Sequence, residues 1–149
     1  MAFLSSFDIC ASGLSAQRVR MDIAAENISN VDTTRTEAGG PYRRKEVVFE
    51  SYGAGSFQES LRNAARGNGF SSRNAGVRVA AIVEDDREMK LVYNPDHPDA
   101  DEAGYVSMPN VDVLKETVDS MSATRSYEAN VTALNAMKLM VQKALEIGK

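Results

Sequence analysis

The residues best able to do chemistry in this chain are an imidazole and several carboxylates in one short segment. The single histidine, His97, stands among Asp96, Asp99, Asp101 and Glu102. Such a group can bind a hard metal ion, and an imidazole can also activate a nucleophile. The spacing matches no known calcium loop, however, and Pro95 and Pro98 stiffen the segment. We therefore expect a solvated acidic turn, with no metal ion and no catalytic residue.

The other motifs give no support to a cofactor or nucleic-acid site. The glycines between residues 53 and 76 form neither a G-x-x-x-x-G-K-[ST] pattern nor a G-x-G-x-x-G pattern after a strand. The chain carries 21 acidic against 17 basic residues, a net charge of −4, which argues against a nucleic-acid partner. We expect the one dense basic run, Arg43-Arg44-Lys45, to lie on a solvated strand face.

Two long helical stretches at the ends of the chain dominate its pattern. In the first, Phe7, Leu14, Met21 and Ile28 recur every seven residues. The second runs from about Asn110 to the glycine at 148 and carries a similar apolar seam. Helices of about 27 and 38 residues would be roughly 40 and 57 Å long, too long for a middle of this size to cover. Each helix therefore needs a partner helix, although a two-helix hairpin inside one globular monomer would use many of the same residues.

The middle of the chain is typical of β structure. Alternating apolar residues predict strands at 42–52, 77–83 and 89–93, with a hairpin turn at 84–87 between the last two. Residues 51–75 are rich in Gly, Ser, Asn and Arg, which predicts a flexible insertion. Residues 94–104 should form an extended link into the second helix because two prolines hold their neighbours out of helical geometry.

The two helices and the strands between them define an α+β fold. The ends of the helices carry signals of their own. Ser5 or Ser6 could cap the first helix, which should end near Asn30, where side chains compete for backbone bonds. We assign residues 1–34 to the first helix, 35–109 to the β-rich middle and 110–149 to the second helix. The N-terminus lacks the features of a cleaved secretory signal, and no segment is apolar enough to span a membrane.

Several segments resemble bacterial flagellar axial proteins, the rod, hook and hook-associated subunits. Two segments, 24–33 and 126–130, resemble the two terminal signatures of the family. Six further segments are most similar to a subunit of the proximal rod: 41–45, 47–49, 93–101, 104–106, 109–112 and 121–127. Another rod or hook subunit would share the terminal signatures but should lack the match over 93–112.

The resemblance implies a structural subunit of the flagellar rod, the shaft that crosses the periplasm, and no enzyme activity. In that family the terminal helices pair as an antiparallel coiled coil, and copies stack around a central export channel. The implied partners are copies of the chain, other rod subunits and the flagellar export apparatus, which would read an uncleaved N-terminus. We expect the terminal helices to be largely unfolded before assembly. The alternative from a different functional class is a coiled-coil adaptor of the export machinery.

These patterns define two groups of candidate residues. The predicted assembly interface comprises Phe7, Leu14, Met21, Ile28, Leu114, Val118, Met121, Tyr127, Val131, Leu134, Val141 and Leu145. The family-signature residues are Asn27, Asn30, Pro109, Asn110, Tyr127 and Asn130. We expect the three asparagines in the helices to fix register and helix ends rather than to bind a ligand.

Overall fold

Two long helices enclose four strands in chain order, as predicted for an α+β fold. The computed structural model describes residues 2–37, 39–53, 61, 65 and 75–147. The elements are α1 (Ala2–Ser29), β1 (Lys45–Gly53), β2 (Ala75–Glu84), β3 (Lys90–Tyr93), β4 (Tyr105–Met108) and α2 (Val113–Ile147). Neither helix in this part of the chain is both long and apolar enough to cross a membrane.

The end of α1 agrees with the sequence, whereas the start of α1 differs and α2 begins at Val113, three residues after the predicted start near Asn110. That helix begins at Ala2, before Ser5 and Ser6, so the predicted serine cap is wrong. It ends at Ser29 as predicted, and the side chain of the next residue, Asn30, donates to the Glu26 carbonyl at 2.9 Å. At the start of α2, Asp112 Oδ1 accepts the Leu114 amide at 3.0 Å, which satisfies an amide that the first helical turn leaves unpaired.

The first sheet is an antiparallel pair of β1 and β2. Its register runs from Lys45 opposite Glu84 to Gly53 opposite Ala75, with one irregularity between Val48 and Phe49. Side chains along β1 alternate between half-buried and exposed, as expected for a strand with one covered face. Both strands contact α1, which therefore lies between this sheet and α2. The predicted insertion at 51–75 falls outside the described residues, apart from its strand ends and the helical positions 61 and 65.

The predicted turn between β2 and β3 is wrong, because β3 pairs with β4 instead. The segment after β2 is held elsewhere: the Asp85 amide donates to the Arg44 carbonyl at 2.8 Å. The Asn110 side chain donates to the carbonyls of Asp85 and Arg87 at 3.1 and 3.3 Å. These bonds pull the segment toward the start of α2 rather than back along β2. Residues 94–104, predicted as an extended link, form the loop between β3 and β4.

The hairpin of β3 and β4 contains a glycine, Gly104, packed against the side chains of β3 and its loop. Tyr93 and Tyr105 lie opposite each other in the register, with ring centroids 5.3 Å apart in an edge-to-face arrangement. The Gly104 backbone has φ of +82°, and a Cβ there would lie 3.0 Å from the Tyr93 ring and 3.3 Å from the Pro95 side chain. Both its backbone angle and the space around it therefore favour glycine at this position.

The contacts between α1 and α2 run in opposite order along the chain. A Cβ on Gly13 would lie 3.1 Å from the side-chain nitrogen of Asn130, so the Asn130 side chain occupies the space that a larger residue at position 13 would need. Farther along α1, the Arg20 guanidinium forms two hydrogen bonds with Asp119. The last contact of this series lies at the end of α1, where Asn27 meets Glu116 across 2.9 Å.

Small and polar residues form most of the buried interior. Among the described residues, the buried apolar side chains are Ala16, Ala24, Tyr42, Val106, Pro109, Val111 and Ala123, and the buried polar ones are Asn27, Arg44 and Glu116. In this part of the chain the largest fully buried side chain is that of Glu116. With few large apolar groups buried among these residues, the hydrogen bonds of the buried polar groups are important for holding them together.

We expect Gly104→Ala to destabilise the β3–β4 hairpin more than Gly40→Ala destabilises its own turn. Both glycines have positive φ, +82° and +80°, but a Cβ on Gly40 would meet nothing within 4 Å. Left-handed backbone strain alone costs an alanine about 1 to 2 kcal/mol, and the clash with Tyr93 adds to it. Urea denaturation of the two variants measures the difference. Equal losses would show that the ring contact is unimportant.

Candidate functional site

The candidate site is a buried polar junction where α1, β1 and α2 meet. At its centre is Glu116, in the first turn of α2, with 1% of its surface exposed. One carboxylate oxygen accepts the Arg44 Nε hydrogen at 2.7 Å, and the other accepts the Asn27 side-chain amide at 2.9 Å. A buried carboxylate is tolerated only when its oxygens are paired in this way.

Asn27 connects the end of α1 to the first residue of β1. Its side-chain oxygen accepts the Lys45 backbone amide, and its side-chain nitrogen donates to the Lys45 carbonyl, each at 2.9 Å. The amide group thus bonds to Lys45 much as a neighbouring strand would. The same nitrogen reaches Glu116, so one asparagine joins a helix end, a strand and the second helix.

Tyr42 adds a neutral donor to the junction. Its hydroxyl donates to the Asn27 side-chain oxygen at 2.9 Å, and its ring lies 5.6 Å from the Lys45 ammonium. Burial, followed by the nearby carboxylates of Glu26, Glu116 and Glu84, raises the pKa of Tyr42 to about 12. The phenol therefore keeps its proton, and with it this hydrogen bond, throughout the neutral range.

Arg44 lies inside the junction, which corrects the expectation that its basic run faces solvent. Its side chain is 8% exposed and pairs with Glu116, with Glu46 and, at 3.6 Å, with Asp85. Its neighbours fit the expectation better, since Arg43 is 44% and Lys45 is 31% exposed. The Arg44 guanidinium thus compensates the negative charges of the three carboxylates, Glu46, Asp85 and Glu116, that lie around it.

Asn110 and Asp85 hold the outer side of the junction. The Asn110 side-chain oxygen accepts the Arg44 backbone amide at 2.9 Å, while its nitrogen binds the two carbonyls after β2. The Asp85 carboxylate accepts the Arg87 amide and guanidinium at 3.1 and 3.0 Å. These hydrogen bonds from Arg87 hold the pKa of Asp85 below its ordinary value. The chain just before α2 is thereby fixed to the residue that precedes β1 and to the residues that follow β2.

The junction holds the two helices and the first sheet in fixed positions. The pairs around Glu116 use both of its oxygens, and the Asn27 amide is fully engaged. A cleft of about 370 Å³ beside it is lined by Arg20, Lys115 and other charged residues. Arg20 is already paired with Asp119. Nothing in this arrangement exposes a nucleophile next to a base, and its chemical effect is to fix two helices and a sheet in one orientation.

The predicted assembly-interface residues fall into two groups in the structure. Eight are half-buried along the helix pair: Phe7, Leu14, Met21, Ile28, Tyr127, Val131, Leu134 and Val141. Four are exposed on α2: Leu114, Val118, Met121 and Leu145. Other positions of α1 that contact α2 are Gly13, Arg20 and Asn27, which also recur every seven residues.

The family-signature residues lie at the junction or along the helix pair. Asn27 and Asn110 are members of the junction, and Pro109 is fully buried beside the latter. The Asn130 side chain lies against Gly13 of α1. Asn30 bonds back to the last turn of α1, and Tyr127 is half-buried on α2.

Sequence reasoning missed Tyr42, Arg44 and Glu116 as members of this site. An acidic residue such as Glu116 in the first turn of a helix is ordinarily explained by its favourable interaction with the helix dipole, so its type and position alone do not predict burial. A signal was present in the spacing: Glu116, Ala123 and Asn130 recur every seven residues, as do Gly13, Arg20 and Asn27. Small and polar residues in that register mark a seam where helices approach closely.

The acidic segment around His97 has structural contacts. Asp99 accepts a hydrogen bond from the Thr34 hydroxyl at 2.8 Å and pairs with the Arg35 guanidinium. Asp101 Oδ1 accepts two backbone amides, and His97 Nδ1 accepts the amide of Asp99 at 3.1 Å. Among the described residues, no three histidine, cysteine or acidic side chains are grouped so that they could hold a metal ion. These contacts tie the loop before β4 to the chain after α1.

We expect Glu116→Gln to destabilise the protein by about 3 kcal/mol, because glutamine offers one acceptor where two donors, from Arg44 and Asn27, must be satisfied. The control is Glu128→Gln, an exposed position on the same helix that should change stability by less than about 0.5 kcal/mol. Urea denaturation followed by circular dichroism measures both. Equal midpoints for the two variants would mean that the buried carboxylate contributes nothing.

The Asp99 contact should make stability depend on acid pH. The Thr34 hydroxyl and the Arg35 guanidinium lower the pKa of Asp99, so the folded state holds this proton more weakly than the unfolded chain does. Its contribution is therefore complete at neutral pH and is lost as the pH falls through the folded pKa, below about pH 4. We expect the difference in urea midpoint between the wild type and Asp99→Asn to shrink over that range. A constant difference from pH 7 to pH 3 would contradict this.

Known proteins resemble this chain over its full length. Residues 7–35 match the family described as "Flagella basal body rod protein", and residues 102–147 match "Flagellar basal body rod FlgEFG protein C-terminal". The FlgC proteins of Bacillus subtilis strain 168, Escherichia coli O6:H1 and Salmonella typhimurium LT2 are 52%, 46% and 44% identical to it. Each alignment covers 100% of both chains.

These relatives carry the name of flagellar basal-body rod protein, which points to a structural protein rather than an enzyme. The identity extends through the β-rich middle as well as both helices, as the resemblance over residues 93–112 led us to expect. The chain belongs to the FlgC family of flagellar basal-body rod proteins and is a structural subunit of the flagellar rod.

Proposed function

We propose that the chain polymerises through its terminal helices into the tubular drive shaft of the proximal rod, around the export channel. The observation that supports this most strongly is the outward face of α2. Its apolar side chains Leu114, Val118, Met121 and Leu145 are 79%, 66%, 54% and 68% exposed. Leu114, Val118 and Met121 recur at i, i+4 and i+7 and so share one face of the helix, whereas Leu145 lies near its other end. Exposed apolar side chains grouped in this way mark a site of contact with another molecule.

The distribution of side-chain sizes supports assembly over a self-contained hairpin. A helix pair that ended its contacts within one chain would place its large apolar residues between the helices. Here Ala123 is the only apolar side chain of α2 that is buried among the described residues, the large apolar residues along the helix pair are only half-buried, and Leu114, Val118 and Met121 are exposed. Covering one leucine side chain in a subunit contact would contribute about 1.5 to 3 kcal/mol.

We propose further that α1 and α2 pair as an antiparallel coiled coil. From Gly13 to Asn27 the chain advances by fourteen residues, and from Asn130 to Glu116 the partner positions retreat by the same number. Fourteen residues are two heptads, and the heptad is the repeat that keeps the seam of a coiled coil facing its partner helix. In this proposal residues 1–34 and 110–149 form the axial helical domain, and residues 35–109 form a separate β-rich domain.

Contacts between the exposed α2 face and a different surface of the next subunit would be head-to-tail. Such contacts generate an open helical polymer when their rotation does not close, and a tube is the form that leaves a central channel. The proposed partners are copies of this chain and other rod subunits. The flagellar export apparatus would deliver the chain to the periplasm-spanning rod without cleavage of a signal peptide.

Replacing an exposed leucine on α2 should abolish assembly without unfolding the subunit. We expect Leu114→Ser to leave the urea midpoint of the monomer nearly unchanged, because its side chain is 79% exposed. Motility in soft agar should be lost or greatly reduced when the variant replaces FlgC in a flagellated strain. Each lost contact of this kind lowers affinity by roughly 10- to 100-fold, and it recurs at every subunit.

The matched control is Leu91→Ser in β3, where the leucine is 68% exposed but lies away from the helices. We expect this variant to remain motile, and basal bodies purified from both strains should show a rod only for the control. Normal motility of Leu114→Ser, at normal protein levels, would overturn the proposed interface.

A further inference from the structure

The cleft of about 370 Å³ beside the junction is bordered by one edge of the first sheet. Its lining comes from α1, from residues 44–47 and 49 at the start of β1, and from the first two turns of α2. Among the described residues, β1 pairs with β2 alone, so the other edge of β1 carries no strand. The backbone on this side of the strand is therefore part of the surface of the cleft.

The outward backbone groups of β1 can be assigned from Asn27. Because Asn27 bonds to the amide and the carbonyl of Lys45, these two groups point away from β2. Alternate residues of an antiparallel strand direct their backbone groups to the same side, so Val47 and Phe49 also point outward. The irregularity near Val48 places the extra residue in β2, which leaves the alternation along β1 unbroken. In the part of the chain that the structure describes, no backbone acceptor outside the sheet bonds to the Val47 or Phe49 amide.

The side chains around this open edge are apolar and incompletely covered. Val47, Phe49 and Ile23 line the cleft and are half-buried, and the small Ala24 lies beside them on α1. An unpaired strand edge next to partly covered apolar groups fits an extended peptide, whose backbone pairs with the edge while alternate side chains enter the cleft.

The charges of the cleft are balanced except for one. Four cations and three carboxylates line it. All of them except Lys115 form ion pairs within the chain. Lys115 is exposed and has neither an ion pair nor a hydrogen bond among the described residues. A carboxylate is the group that would complement this ammonium, so charge complementarity favours an acidic occupant.

We propose that the cleft receives an extended segment of a neighbouring rod subunit, which adds a third strand to the first sheet at Val47 and Phe49 and places a carboxylate on Lys115. Since Asn27 already occupies the bonding groups of Lys45, the added strand has its first free partner at Val47. Backbone bonds supply the affinity in this mode of recognition, and side chains in the cleft supply the specificity. The inference rests on the chain being a rod subunit and does not require the proposed helix interface.

Amide hydrogen exchange tests the added strand directly. In the monomer we expect the Val47 and Phe49 amides to exchange fast, whereas those of Glu46 and Val48, which point toward β2, should be protected. In purified basal bodies we expect exchange at Val47 and Phe49 to slow on the order of 100-fold. Fast exchange of these two amides in the rod, or slow exchange in the monomer, would overturn the proposal.

A proline at position 47 removes the proposed donor without removing a bond between β1 and β2. Proline is tolerated on an edge strand where the amide faces outward, so we expect Val47→Pro to change the urea midpoint of the monomer only slightly. Motility in soft agar should be lost. The control is Val47→Thr, which keeps the amide and the branched shape and should remain motile. Normal motility of Val47→Pro, at normal protein levels, would overturn the added strand.

Reversing the charge at position 115 tests the acidic occupant independently of the backbone. Glutamate in the first turn of a helix interacts favourably with the helix dipole, so Lys115→Glu should keep the stability of the monomer. We expect this variant to lose motility, because two carboxylates would then face each other, and Lys115→Arg to remain motile. Equal motility of the two variants would contradict the proposed carboxylate.

The same measurements separate this inference from the proposed helix interface. If Leu114→Ser abolishes motility while the Val47 amide still exchanges fast in the rod, the interface stands and the added strand is rejected. Protection of Val47 in the rod together with normal motility of Leu114→Ser would instead support the added strand and reject the interface.

Discussion

The structure depends on a carboxylate placed where most proteins of this size place a hydrocarbon. Glu116 is the largest fully buried side chain among the described residues, and it lies where both helices and the sheet meet. Removing a carboxylate from water is expensive, so the fold is stable only in the arrangement that supplies its two donors. Directional hydrogen bonds fix angles and distances that apolar packing of a few small residues would leave loose.

Small residues along the seam have the complementary effect. Gly13 leaves space on α1 that the Asn130 side chain occupies, and Ala123 of α2 is fully buried. The larger apolar side chains along the helix pair are half-buried, and Leu114, Val118 and Met121 of α2 are exposed. The large exposed side chains are then free for contacts outside the chain.

The class of fold, the two helices, three of the four strands and the family could be predicted from the sequence, because these features depend on periodicity and on local motifs. The pairing of β3 was mispredicted, since Asn110, which is distant in sequence, holds the chain after β2. The burial of Arg44 was missed for a similar reason: three consecutive basic residues are usually solvated, and only the convergence of Glu116, Glu46 and Asp85 reverses this. Long-range polar contacts leave little trace in local patterns. The interface residues were chosen by apolar spacing, and the structure adds which of them the chain itself leaves uncovered.

The bond between Asn27 and Lys45 has a further consequence for aggregation. Open strand edges recruit other strands, and a chain that must wait at high local concentration is exposed to that hazard. Here the Asn27 side-chain amide already occupies both bonding groups of Lys45, the first residue of β1. An incoming strand could not pair with the outer edge of β1 at that residue. The side chain that fixes the end of α1 to the sheet therefore also blocks the start of one strand edge against added strands.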